Sequence, residues 1–191
     1  MEENRNTDYA KALSKLIQCE TISVMDIKQP DKYRKFHALL KEMYPNLFAA
    51  VEVEDFDGSL LIRWQGKNPQ KEPILLMSHH DVVEATGEWT HEPFSGEIAD
   101  GKIWGRGTVD TKGNLWAMLQ AAEEMVKEGF VPDCDIYFES ACNEETTGEG
   151  ADAITRELEK RGIRFRMTLD EGGMIMYDPI GGADGTFAMI G

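Results

Sequence analysis

Basic residues are scarce in this chain. Twenty Lys and Arg face 35 Asp and Glu, for a formal net charge of −15, and this balance excludes a nucleic-acid partner, whose phosphates need cations to displace their counterions. The same acidity opposes an anionic membrane surface and makes metal cations the natural partners. Cysteine is scarce as well. Cys19, Cys134 and Cys142 are odd in number and show no CxxC spacing, which excludes a disulfide framework and a thiolate zinc site and leaves reduced, mostly buried thiols. Long apolar runs are missing: none reaches the roughly 20 residues of a bilayer span. The first twenty residues, with Glu2, Glu3, Arg5, Asp8 and Lys11 among them, have no apolar centre of a signal peptide. A soluble, cytoplasmic protein is expected. Repeats and low-complexity tracts are also absent, and 191 residues fit one domain with its own core.

What is present is periodicity. Leu13, Leu16 and Ile17 fall at helical spacing behind a Thr7 cap, so a helix is expected from about Thr7 to Cys19. A second runs from Asp31 to Tyr44, with Tyr33, Phe36, His37, Leu40 and Met43 on one face and Pro45 as its stop. His37 belongs to that packed stripe. Val51, Val53 and Phe56 interleave with Glu52, Glu54 and Asp55, the pattern of a half-exposed strand whose charges face water. Ser59 to Trp64 follows the turn residues Asp57 and Gly58 as another strand.

Ile74 to Met77 is a continuous apolar run, as expected of a central strand covered on both faces. Cys134 to Ala141 and Phe165 to Leu169 are the next strand candidates. A helix from Gly113 to Glu128 precedes the first of these, and one from Gly150 to Lys160 separates the two. Strands alternating with helices of this length predict a three-layer α/β/α sandwich around a mostly parallel, doubly wound sheet. The glycines of the tail, Gly172, Gly173, Gly181, Gly182 and Gly185, predict hairpin turns or the approach to a domain boundary.

In such a sheet ligands bind beyond the carboxyl ends of the strands, and each of the three central strands is followed there by ligand-type residues. Ser78-His79-His80-Asp81 follows the first, Cys142-Asn143-Glu144-Glu145 the second and Asp170-Glu171 the third, while Asp110 stands in the turn before the long helix. Carboxylates gathered at one rim repel unless cations bind, and His with Asp or Glu is the ligand set of catalytic zinc. Each piece alone has a plainer reading: a hydrogen-bonded structural histidine, or surface acid. The Gly-rich turn Gly105 to Gly113 lacks the Lys followed by Ser or Thr that comes after the last Gly of a phosphate loop, and the acidic rim opposes a nucleotide.

At these residues the sequence resembles the dinuclear zinc peptidases and deacylases that include aminoacylase, glutamate carboxypeptidase, carboxypeptidase S and succinyl-diaminopimelate desuccinylase. The resemblance begins at Leu16 to Ser23 and is strongest at Leu76-Met77-Ser78-His79-His80-Asp81-Val82-Val83. It continues through Trp89 to Gly96, Gly105 to Gly113, Asn143-Glu144-Glu145 and Leu169 to Gly173, and is closest to the carboxypeptidase S branch. It implies two Zn2+ ions, with Co2+ or Mn2+ as substitutes. His79, Asp110 and Asp170 would hold the first, Asp110 and Glu145 the second. Asp81 would fix the tautomer of His79, and Glu144 would be the general base for a metal-activated water that cleaves the amide of a short peptide or N-acyl amino acid. His80, at the variable position of its motif, and His91, in a loop, would be non-ligands.

One departure matters. The family's second metal also takes a histidine from near the end of a chain about twice as long, with a lid domain inserted after roughly the point where this sequence stops. Residues 1–191 are therefore expected to be the N-terminal part of the catalytic metal-binding domain, incomplete on its C-terminal side and inactive alone. By the same resemblance, the lid or dimerisation domain, and the homodimer expected of the full-length protein, would lie beyond them. Two alternatives stay open on the sequence: a metal-binding fragment without turnover, and a metal-independent glycosidase using a carboxylate pair.

Overall fold

Leu16 and Ile17 are fully buried on helix α1 (Glu2–Gln18) of the computed structural model, which describes residues 2–27, 29–172, 175–177 and 185–188. Helix α2 (Pro30–Met43) buries Tyr33, Phe36, His37 and Leu40 on the expected face. Pro45 does end it, but as the first residue of a helix the sequence reading missed, α3 (Pro45–Ala50). Proline lacks only an N–H that the first helical turn does not use, so it starts a helix as readily as it stops one.

The strands β1 (Glu52–Phe56) and β2 (Ser59–Trp64) form a hairpin through Asp57 and Gly58, both at positive φ, 58° and 109°. Then come β3 (Ile74–Met77), a short hairpin of β4 (Glu97–Ala99) and β5 (Lys102–Trp104) that the sequence reading did not foresee, and α4 (Lys112–Lys127). Strand β6 (Ile136–Ser140), helix α5 (Glu149–Lys160) and strand β7 (Met167–Leu169) follow. A last hairpin pairs β8 (Ile175–Tyr177) with β9 (Thr186–Ala188). Of the tail glycines, Gly173, Gly181 and Gly182 lie outside the described residues.

The main sheet has the order β1-β2-β6-β3-β7. Strands β6, β3 and β7 are parallel neighbours, whereas β2 is antiparallel to both β1 and β6, so four of the five strands point the same way. The two-way winding has a direct cause. The β3–α4–β6 crossover moves one way along the sheet and the β6–α5–β7 crossover moves back past β3. Right-handed crossovers in opposite directions must lay their helices on opposite faces. Leu60, Ile62, Trp64 and Phe138 accordingly pack against α1 to α4, and Leu61, Leu75 and Tyr137 against Ile154 and Leu158 of α5. The result is the three-layer sandwich, and its switch point lies at the carboxyl ends of β3, β6 and β7, where ligands bind in sheets of this kind.

Helix α3 is held by a buried acid. The Glu123 carboxylate on α4 accepts the Leu47 N–H at 2.7 Å and the Asn46 side-chain amide at 2.7 Å, and pairs with Lys127 at 3.2 Å. Burial works to raise its pKa, yet the Asn46, Leu47 and Lys127 donors outweigh burial and hold it below the ordinary carboxylate value. Glu123→Ala is expected to cost about 1–3 kcal/mol at neutral pH, since it orphans buried donors. A depressed folded-state pKa gives stability that is full above the unfolded value and is lost as pH falls through the folded one, so the difference should shrink below about pH 4. Urea unfolding of both proteins at pH 7 and pH 3 checks this.

Candidate metal centre

Strand alternation assigns the two adjacent histidines to different layers. Leu75 packs on the α5 side and Leu76 on the other, and the β3–β6 pairing continues past the strand through Ser78 N–H to Glu139 O (3.0 Å) and His80 N–H to Ala141 O (2.9 Å). His79 therefore falls on the α5 side and His80 on the opposite one. His80 is fully buried there, stacked on Phe36 with ring centroids 5.0 Å apart and with Nδ1 2.8 Å from Ser140 Oγ; burial drives its pKa down. His91 stacks on Trp104 and pairs with Glu97 at 2.8 Å. Neither ring joins the acidic cluster among the described residues.

That cluster surrounds His79. A cavity of about 530 Å³ at the strand ends is lined by His79, Asp110, Glu139, Glu144, Glu145 and Asp170, with Glu171 beside them. His79 Nδ1 lies 3.0 Å from the Asp81 carbonyl and 3.4 Å from its carboxylate, while Nε2 lies 3.0 Å from Asp110, 3.1 Å from Glu171 and 3.7 Å from Glu144. Burial alone would lower the pKa of this ring, but the Asp81 and Glu171 carboxylates outweigh it and push the pKa up to about 9. Burial first, then neighbouring carboxylates, raise the pKa of Glu145 and Glu171. Asp110 is presented at the start of α4, where Ser78 Oγ donates to Thr111 O (3.0 Å) and the buried Lys112 ammonium donates to Cys19 O (2.7 Å).

Two overlapping sets of ligand atoms lie within 4.8 Å of one another: His79, Asp110 and Glu145, and His79, Glu144 and Glu171. The donor chemistry fits a divalent metal, with one imidazole whose Nδ1 is tied off at Asp81 and whose Nε2 faces carboxylate oxygens. Asp170 lines the same cavity without entering either set, and its Oδ1 accepts the N–H of Glu171 at 2.8 Å. Glu171 is thus a site residue the sequence reading did not single out, because nothing in the pair Asp170-Glu171 tells which carboxylate turns inward. Asp81 does more than face His79: its oxygens accept the N–H groups of Glu144 (3.1 Å) and Glu145 (3.2 Å) and the hydroxyl of Ser23 (2.6 Å).

Glu139 was missed for a different reason. It stands between Phe138 and Ser140 on β6, is 2% exposed, and neither carboxylate oxygen has a hydrogen-bond partner among the described residues. A charged residue inside a central strand was the available signal. Burial, with Asp170 adding to it, pushes its pKa up to about 7. Raised above its unfolded value, this acid costs stability as pH climbs from about 4.5 to 7, by about 2–4 kcal/mol once fully ionised. In metal-free protein Glu139→Gln should abolish that loss. Thermal unfolding from pH 5 to pH 8 measures it, and parallel pH curves for the two proteins would refute it.

A sheet switch point carrying one imidazole among converging carboxylates has the form of a metal-binding α/β domain. The model of Peptidase family M20/M25/M40 matches residues 75–189, and the chain belongs to this family. It is 37% identical over 182 residues to the probable carboxypeptidase S-like 2 of Dictyostelium discoideum, covering 91% of this chain and 35% of that protein. It is 35% identical over 174 residues to the human N-fatty-acyl-amino acid synthase/hydrolase PM20D1, covering 88% and 34%. These relatives bear out the likeness to the carboxypeptidase S branch. Among solved structures, the M20 family metallo-carboxypeptidase Sso-CP2 from Sulfolobus solfataricus superposes with a TM-score of 0.67 at 20% identity, over 86% of this chain and 37% of that one. The chain spans about a third of the length of the curated relatives it matches.

Proposed function

We propose that these residues form the metal-binding part of the catalytic domain of a zinc-dependent hydrolase that cleaves the amide bond of short peptides or N-acyl amino acids. The observation that carries this reading is the convergence of Asp110, Glu144 and Glu171 on His79 Nε2, in a chain of the M20 family. His79, Asp110 and Asp170 would hold one metal and Asp110 with Glu145 a second, with Glu171 in reach of the His79 imidazole. Zinc is favoured over Co2+ or Mn2+ by the mixed imidazole and carboxylate donors. Bound metal supplies an acidified water and polarises the carbonyl under attack.

The remaining steps belong to side chains of this chain. Glu144 takes the proton of the attacking water and returns it to the leaving amine. Asp81 keeps the His79 ring turned and fixes the N–H groups of the Glu144–Glu145 turn, so base and ligand share one anchor. The substrate classes follow from the names of the relatives, a carboxypeptidase S-like protein and a hydrolase of N-fatty-acyl amino acids. A cytoplasmic location is supported by three free thiols; no helix among the described residues is long and apolar enough to cross a membrane. Homodimerisation of the full-length protein rests on the family resemblance alone.

The test is a panel of dipeptides and N-acyl amino acids offered to the full-length protein. Hydrolysis of at least one class, lost on chelation and restored by zinc, is expected. Turnover that survives complete metal removal would end this reading.

A further inference from the structure

Asp81 is fully buried, and each of its carboxylate oxygens has two neighbours. Oδ1 accepts the Glu144 N–H and lies 3.4 Å from His79 Nδ1; Oδ2 accepts the Glu145 N–H at 3.2 Å and the Ser23 hydroxyl at 2.6 Å. Three of these four partners belong to the site itself. The fourth, the closest, comes from the loop after α1 and lies in none of the motifs that carry metal ligands. A hydroxyl donating to a carboxylate at this distance is a charge-assisted bond, stronger than one between neutral groups.

The segment bearing Ser23 is laid along the site loop in fixed register. Ile22 and Val82 form a parallel bridge, Ser23 N–H donates to Val82 O at 3.1 Å, and Val82 N–H donates to Thr21 O at 3.2 Å. Thr21 Oγ1 donates to His80 O at 2.5 Å, and the Lys32 ammonium holds Ile22 O at 2.8 Å. These contacts clamp the backbone whatever residue stands at 23, so the Ser23 hydroxyl is left with one separable task, fixing the rotation of the Asp81 carboxylate. That rotation sets where the Glu144 and Glu145 N–H groups rest, and a shift of about 1 Å in a reacting group costs on the order of 100-fold in rate.

We propose that Ser23 is a positioning residue for amide hydrolysis, acting through Asp81 on the Glu144–Glu145 turn. The inference rests on the reading given under Proposed function. In the full-length, zinc-loaded protein Ser23→Ala should lower kcat about tenfold to a hundredfold, with KM within about twofold of wild type. Ser23→Thr, which keeps the hydroxyl, should restore most of the loss. In an Asp81→Asn background the Ser23→Ala effect should shrink to about twofold or less, as expected of groups acting as one unit. If Ser23→Ala fails to fold, Ser23→Cys, isosteric with a weak donor, replaces it with the same expectations.

A second measurement needs no activity. Hydrogen exchange at the Glu144 and Glu145 amides should speed up about tenfold or more in Ser23→Ala while the Phe138 amide keeps its wild-type rate. Wild-type kcat in Ser23→Ala, an undiminished loss in the Asp81→Asn background, or unchanged exchange at both glutamates would overturn the proposal. A wild-type protein that hydrolyses no amide would fail the functional reading instead, and the exchange data would still decide the role of Ser23.

Discussion

On the proposed function, Glu144→Gln should lower turnover by the full-length protein by about 10²–10⁴-fold, the usual contribution of a positioned acid–base group, while metal content stays at the wild-type level. The residue has the exposure and the place for the work. Its Oε2 is 3.7 Å from His79 Nε2, at the rim of the cavity, and its N–H is held by Asp81. Glutamine keeps the shape and the backbone N–H bond to Asp81 and removes the proton acceptor. Glu145→Ala should behave in the opposite sense, because Glu145 groups with His79 and Asp110: metal occupancy should fall by about one equivalent, and activity with it. Metal analysis alongside kcat separates the two. If Glu144→Gln lost metal while Glu145→Ala kept both metal and activity, the two roles would be exchanged.

His79→Ala is expected to empty the first metal site. Its imidazole is the only nitrogen donor in either ligand set among the described residues, and both sets share it. A ligand that binds only the folded state stabilises by RT ln(1 + [L]/Kd), about 2.7 kcal/mol at a hundredfold excess over Kd. Zinc should therefore raise the thermal midpoint of the wild-type chain and move that of His79→Ala far less. His80→Ala offers the control. It should lower stability in both states, through the lost packing on Phe36, yet preserve the zinc-induced shift. A zinc shift that survived in His79→Ala and vanished in His80→Ala would reverse the assignment of the two histidines.

Much of the fold was legible because it rests on local periodicity. The continuous run Ile74 to Met77, the helical stripes of α2 and α4, and the Asp57-Gly58 turn all express backbone and burial preferences that act within a few residues. Those preferences located β3, α4, β6, α5 and β7 in order, and with them the rim of ligand-type residues. Pro45 was read only as a stop because the same ring chemistry serves a helix start, and the three-residue hairpin β4–β5 is too short for its alternation to register. The β2 strand was found, but not its antiparallel pairing with β6, a partner distant in sequence that no local pattern specifies.

By itself the sequence showed ligand-type residues after three strands and in the turn before α4; the family resemblance picked out His79, Asp110, Glu144, Glu145 and Asp170 among them, and all five line one cavity. Tertiary structure alone decided how they meet. It turned Glu171 rather than Asp170 to within 3.1 Å of His79 Nε2, buried Glu139 without a partner, and made Asp81 the common anchor of His79, Glu144, Glu145 and Ser23. The reason is physical. Residue type and spacing fix what a side chain can bond and, within a strand, which face it takes. Where the strand pairing ends the period-two rule lapses, and the direction of each carboxylate is set by contacts with segments distant in sequence, such as Thr21 to Ser23 against His80 to Val82.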